Sequence, residues 1–210
     1  MSNEKIKELT DECEILKKQI EAVLIDRHIL REYFKIVKAN PDICNTNIFH
    51  RFVMKGYSSN ILISTRRLMD KTKNTFSLYK FLEKINNNSK EITRKWYIDT
   101  FKYDWTDTDF TRIAGSGSFF CKKISSQDLD ELVKLSKKIE DTADSYIAHN
   151  SKNPKVFEWP QMNEVDLLID KMEEIFLKYY TLFTGQGYST FLPTIQYDWQ
   201  EIFTIPWINK

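Results

Sequence analysis

The sequence predicts an all-α protein, on three observations. Apolar residues recur at three- and four-residue spacing over several long stretches, the period of a helix with one buried face. Glycine and proline number five each in 210 residues, too few for a turn-rich all-β chain or a glycine-rich nucleotide loop. Hydrophobic residues make up 41% of the chain and aromatics 14%, enough to fill a core. The expectation is one domain over 1–210, burying about 70% of the surface its unfolded chain exposes, with little or no sheet.

Residues 4–39 read as one long helix, with Ile6, Leu9, Cys13, Leu16, Ile20, Val23, Leu24 and Leu30 on one face. Asn40-Pro41 ends it, since proline disfavours helical backbone in the residue before it. A second helix is expected over 46–70, buried through Phe49, Phe52, Val53, Ile61, Leu62 and Leu68. Gly56 weakens its middle by about 1 kcal/mol relative to alanine and marks a kink or a close crossing. After the polar break at 72–75, a short helix over 76–86 carries Leu78, Phe81, Leu82 and Ile85 and stops at Asn86-Asn87-Asn88.

Residues 90–103 are predicted helical. From about 104 to 124 the periodicity is lost, and Gly115-Ser116-Gly117-Ser118 describes an irregular loop, expected to be the least ordered part. Ser125 and Asp128, at capping-box spacing, open a further helix. Its buried stripe is Leu129, Leu132, Leu135, Ile139, Ala143 and Tyr146, running up to His149. The last clear helix spans 164–184, buried through Val165, Leu168, Ile169, Met172, Ile175, Phe176 and Tyr179, and Gly185 ends it. An irregular aromatic tail over about 185–210, with Trp199, Phe203 and Trp207, is expected to pack back on the body.

A net charge of +1 argues against a protein held on nucleic acid by bulk electrostatics, so such a contact needs a local basic patch. Cys13, Cys44 and Cys121 are scattered without a CxxC pair, which supports neither a zinc ribbon nor a redox motif and fits a reducing cytoplasm. The polar N-terminus and the absence of any apolar run near 20 residues predict no signal peptide and no membrane span. Neither a metal site nor a cofactor is expected, because no HExxH, P-loop or GxSxG pattern occurs.

The best candidate for chemistry is Asp144-Ser145-Tyr146-Ile147-Ala148-His149-Asn150. It sets one of three histidines in a polar cluster at a helix end, where an imidazole can handle a proton or meet a phosphate. At 100° per residue His149 shares a side with Tyr146, Ser145 and Thr142, and Asp144 and Asp141 stand about one and two turns earlier. The plainer reading is a histidine capping the last carbonyls of its helix.

Arg66-Arg67-Leu68-Met69-Asp70-Lys71 is the densest basic stretch. It reads as a phosphate-binding edge, or as helix-end cations favoured by the macrodipole, with Arg67 and Asp70 as a surface pair. The aromatics between Trp96 and Trp105 alternate with Lys102 and Asp104 and can stack on nucleobases, although core packing is the better account.

On these residues the chain resembles the HEPN superfamily, and within it the AbiU-like abortive-infection group of bacterial proteins. The resemblance rests on Ile63-Ser64 leading to Arg67-Leu68-Met69-Asp70, on Ser77-Leu78 with Leu82, and on Tyr146-Ile147-Ala148-His149. Tyr179-Tyr180, Asp198-Trp199, Ile202-Phe203 and Pro206-Trp207 complete it. It implies an up-and-down bundle of long antiparallel helices that dimerises, in bacterial defence or toxin–antitoxin systems, with RNA as substrate and an antitoxin or other defence protein as partner. Active HEPN ribonucleases carry Arg-x(4–6)-His on one helix and cleave RNA without metal: the His handles protons around the 2′-hydroxyl and leaving oxygen, and the Arg steadies the phosphate.

His149 matches the family's histidine. The arginine does not match, because Asp144, Ala143 and Thr142 stand five, six and seven residues before it. Arg66 or Arg67 then substitutes, or the protein binds without cutting. The resulting expectation is His149 and Arg67 as catalytic groups, with Arg66, Asp70, Asp144, Ser145, Tyr146 and Asn150 binding around them. The alternative is a non-catalytic helical module for a partner protein or nucleotide.

Overall fold

Helices form wherever the apolar period predicts them, and one forms where it does not. The computed structural model describes residues 3–44, 47–148 and 158–206. Its helices are α1 (Asn3–Ala39), α2 (Ile48–Leu68), α3 (Leu78–Asn87), α4 (Arg94–Phe101), α5 (Thr106–Ala114), α6 (Lys122–Thr142) and α7 (Met162–Thr184). Among the described residues there is no strand, only a single antiparallel bridge between Thr93 and Phe119. Asn47, Ser77 and Thr93 stand in extended backbone before α2, α3 and α4, and the side chain of each accepts the N–H three residues on. Each satisfies one of the donors that a helix start leaves orphaned.

Four long helices close into a ring: α1 packs on α2 and α7, and α6 packs on α2 and α7. Side-chain contacts show that successive members run antiparallel. Along α1 and α7, Glu14 meets Tyr180 while Arg31 meets Asp166. Along α6 and α7, Asp128 meets Lys178 while Lys138 meets Glu164. Asp26 meets Asn60 and Tyr33 meets His50 between α1 and α2. The helix α3 covers α6, and α4 and α5 pair with each other beside α7. This is an up-and-down helical bundle, and its core joins Leu16 and Ile20 of α1, Phe81 of α3, and Phe176 and Tyr179 of α7.

Four expectations change. The 104–124 stretch is not an irregular loop: α5 occupies it, burying Thr106, Phe110, Ile113 and Ala114. The Arg94 guanidinium then pins the remainder, donating to Asp107 Oδ1 at 2.7 Å, Thr111 Oγ1 at 2.9 Å, and the carbonyls of Gly115 and Gly117 at 2.9 and 3.1 Å. Secondly, α6 starts at Lys122 and not with a Ser125–Asp128 capping box. Both side chains are engaged elsewhere: Ser125 is buried and donates to Asn86 and Lys122, and Asp128 receives Lys178 and Tyr179.

Thirdly, Phe49 and Phe52 are 48% and 71% exposed, because the buried face of α2 lies entirely in its later half, at Ile61, Leu62, Thr65 and Leu68. Lastly, α2 runs through Gly56, where an added Cβ would meet nothing within 4 Å. No close crossing requires that glycine.

Candidate functional site

The chain changes helical pitch at the polar end of α6. Thr142 returns its hydroxyl to the Lys138 carbonyl, and Ala143–Ala148 then forms a π-helix. Such i→i+5 turns interrupt the side-chain register of an α-helix and are frequent at functional sites. The register change overturns one face assignment: Tyr146, expected in the buried stripe, is 38% exposed, while Ser145 is buried. A projection at constant α-helical pitch does not hold past Thr142. His149 and Asn150 lie outside the described residues.

Asp144 emerges from this π turn toward the C-terminal end of α2, where Arg66 donates through Nε to its Oδ1. The two side chains are 38% and 39% exposed, so the pair stays within reach of a solvent-borne ligand. Its placement bears on the motif. Asp144 stands five residues before His149, at one of the positions where the HEPN pattern carries arginine, and it holds a guanidinium there from another helix.

Around the pair lies a cleft of about 390 Å³ lined by Arg66, Met69, Asp70, Lys71, Thr72, Glu140 and Asp144. Lys71 approaches Glu140 at 3.8 Å. Two cations thus face three carboxylates, and Arg66 is the one whose guanidinium can present a donor fork to phosphate oxygens.

Arg67 occupies the outer face of α2 and is exposed. The expected Arg67–Asp70 pair is absent; Asp70 accepts instead from the Thr72 backbone N–H at 2.8 Å. Burial pushes the Asp70 carboxyl up, but hydrogen bonds from Thr72 outweigh it, with the Arg66 charge and the Lys71 N–H adding to them. The net effect holds it below the usual aspartate range. Asp70 therefore secures the turn after α2, and with it the end that carries Arg66.

A second cleft of about 580 Å³ lies beyond the π turn, between Tyr146, Ile147 and Trp159 on one side and Met54, Lys55 and Ser58 of α2 on the other. Tyr146 and Trp159 pack with ring centroids 5.7 Å apart. The two clefts thus border residues 140–147 with polar and aromatic groups. Sequence reasoning picked out Arg66 and Asp144 separately but not their pairing, because nothing in either segment signals which partner lies across the bundle. Among the described residues, no group of three or more His, Cys, Asp or Glu side chains is placed to hold a metal ion. No helix there is long and apolar enough to cross a membrane.

An antiparallel ring of long helices, with no strand among the described residues, is consistent with a HEPN-like bundle. The HEPN_AbiU2 (AbiU2) family model matches residues 6–202, and the chain belongs to that family of abortive-infection HEPN proteins. No curated protein and no solved structure matches it.

Proposed function

We propose that this chain acts on RNA as a metal-independent endonuclease, with His149 transferring protons and Arg66 supplying the cation missing from its motif. The observation that carries this reading is the Arg66–Asp144 pair. It brings a guanidinium to a helix position where a HEPN ribonuclease has one of its own. In such a site the histidine removes the 2′-hydroxyl proton and returns one to the leaving oxygen. The guanidinium stabilises charge that develops on the phosphate, a contribution often worth several kcal/mol of barrier. Asp144 orients Arg66 and also opposes an incoming phosphate, so substrate binding has to draw the guanidinium from carboxylate to phosphate.

A C2 dimer, which gives two such helices one shared self-complementary interface, completes the proposal, and bacterial defence in the cytoplasm is its setting. The test is purified protein with structured and unstructured RNA, chelator present. Wild type should cleave, and His149→Ala should reduce cleavage by about 10² to 10⁴. If both leave all RNA intact, the enzyme reading fails. The specific feature favouring the non-catalytic alternative, a binding module for a partner protein or nucleotide, is the acidic residue at the motif position. Retained RNA or partner binding without cleavage would establish it.

A further inference from the structure

The aromatic run from Trp96 to Trp105 divides in two. Trp96, Tyr97 and Phe101 pack into or against the core. Tyr103 and Trp105 do the opposite: they are 50% and 61% exposed and stack on one another, with centroids 5.3 Å apart and planes within 9°. The left-handed backbone of Lys102, at φ 54°, ends α4 and turns the chain out of the body immediately before Tyr103. Each ring covers one face of the other, so a parallel pair this exposed still offers an outer aromatic face to solvent.

The stack borders a cleft of about 690 Å³, in the range of small-molecule sites. Tyr188, 43% exposed, also lines it. The charged groups in its wall balance: Arg112 and Lys178 against Asp109 and Glu174. Arg112 places both Nε and Nη2 on one oxygen of Asp109, which leaves its Nη1 edge to donate. At Gly187 an added Cβ would meet nothing within 4 Å, so a flat ligand can lie against the backbone there. Flat faces for stacking, a donor at the edge and no net charge describe a site for a nucleobase and not for a phosphate chain.

We propose that the Tyr103–Trp105 stack and its cleft bind a single unpaired purine base. The site stands apart from Arg66 and Asp144. It adjoins the C-terminal end of α7, whose N-terminal end faces the last turns of α6, and a 23-residue helix separates its ends by about 34 Å. The proposal does not rest on the ribonuclease reading. The base can belong to a free nucleoside or to a strand, and the probes separate these: adenosine, and an oligodeoxyadenylate that has no 2′-hydroxyl to cleave.

Calorimetric titration of the full chain should show binding of one or both probes. Trp105→Ala should weaken it about tenfold or more, the scale of one lost base–aromatic stack. Trp105→Leu, which keeps apolar bulk but no aromatic face, should behave like Trp105→Ala while retaining the wild-type helical circular dichroism. Adenosine binding would identify a nucleoside site; oligonucleotide binding alone, still dependent on Trp105, would identify a strand contact. Binding of neither probe would overturn the proposal, as would unchanged affinity in a folded Trp105→Leu protein.

Discussion

Arg66 and Arg67 are neighbours with the same side chain, and the bundle gives them different work. One reaches Asp144 on the turn that leads to His149, and the other faces solvent. Arg66→Ala should therefore lower RNA cleavage by about 10² to 10³, the usual scale for removing one group that stabilises transition-state charge. Arg67→Ala should lower it several-fold at most. Initial rates on one RNA check this, and equal losses in the two variants would contradict the assignment. The effect should not come through folding, because a half-exposed ion pair contributes about 1 kcal/mol or less. That an acidic residue, Asp144, stands at the motif position was legible in the sequence. Which arginine meets it was not, since a one-residue step around α2 decides it and the pitch change at Ala143 alters the facing surface.

At the scale of elements, α3 and α7 bury every residue their periodicity named, from Leu78 to Ile85 and from Val165 to Tyr179. Both have apolar partners along their whole length. The sequence misled where partners are missing or where polar residues conceal a buried face. Phe49 and Phe52 keep the helical period beyond the packed half of α2. Thr106, Phe110 and Ile113 hold helical spacing among aspartates and threonines, and that spacing was the available signal for α5.

Because Arg94 fastens this segment at several points, it should resist limited proteolysis in the wild type and be cut in Arg94→Ala. Rapid cleavage of both proteins there would contradict the role given to Arg94. The glycines should respond with opposite sign. Gly56→Ala should stabilise α2 by about 1 kcal/mol. Gly185→Ala should destabilise by about 2 kcal/mol or more, since its φ is +68° and the new Cβ would run into the Phe101 ring. Urea midpoints measure both.

The whole molecule carries a pH dependence set by its buried tyrosines. Burial, with Asp109 alongside, pushes the Tyr97 hydroxyl up to about 12. Burial, with Asp166 alongside, pushes Tyr57 up to about 12, and burial beside Asp128 raises Tyr179 further. Tyrosines in the unfolded chain ionise near 10. Above that pH the unfolded state has lost protons that the native state keeps, so stability falls as pH rises through about 10 to 12. Lys84 acts in the same direction. Burial opposes its charge, but hydrogen bonds to Glu12 and Glu8 outweigh burial and raise its pKa, and its contribution is lost as pH climbs through the raised value. Urea midpoints across this range should decline steadily, and a rise above pH 10 would contradict the core described here. The proposed C2 assembly makes a separate demand at this scale: light scattering should report twice the mass of one chain, and a clean monomer at micromolar concentration would argue against a composite site.

Charge relocation tests most directly whether Arg66 stands in for the arginine that the sequence before His149 lacks. Arg66→Ala should abolish most RNA cleavage. Adding Asp144→Arg to that variant removes the opposing carboxylate and recreates Arg-x4-His in the sequence, so the double variant should recover much of the lost rate. Recovery that also disappears on His149→Ala is the predicted result. Full activity in Arg66→Ala, or no recovery in a folded double variant, would contradict the claim.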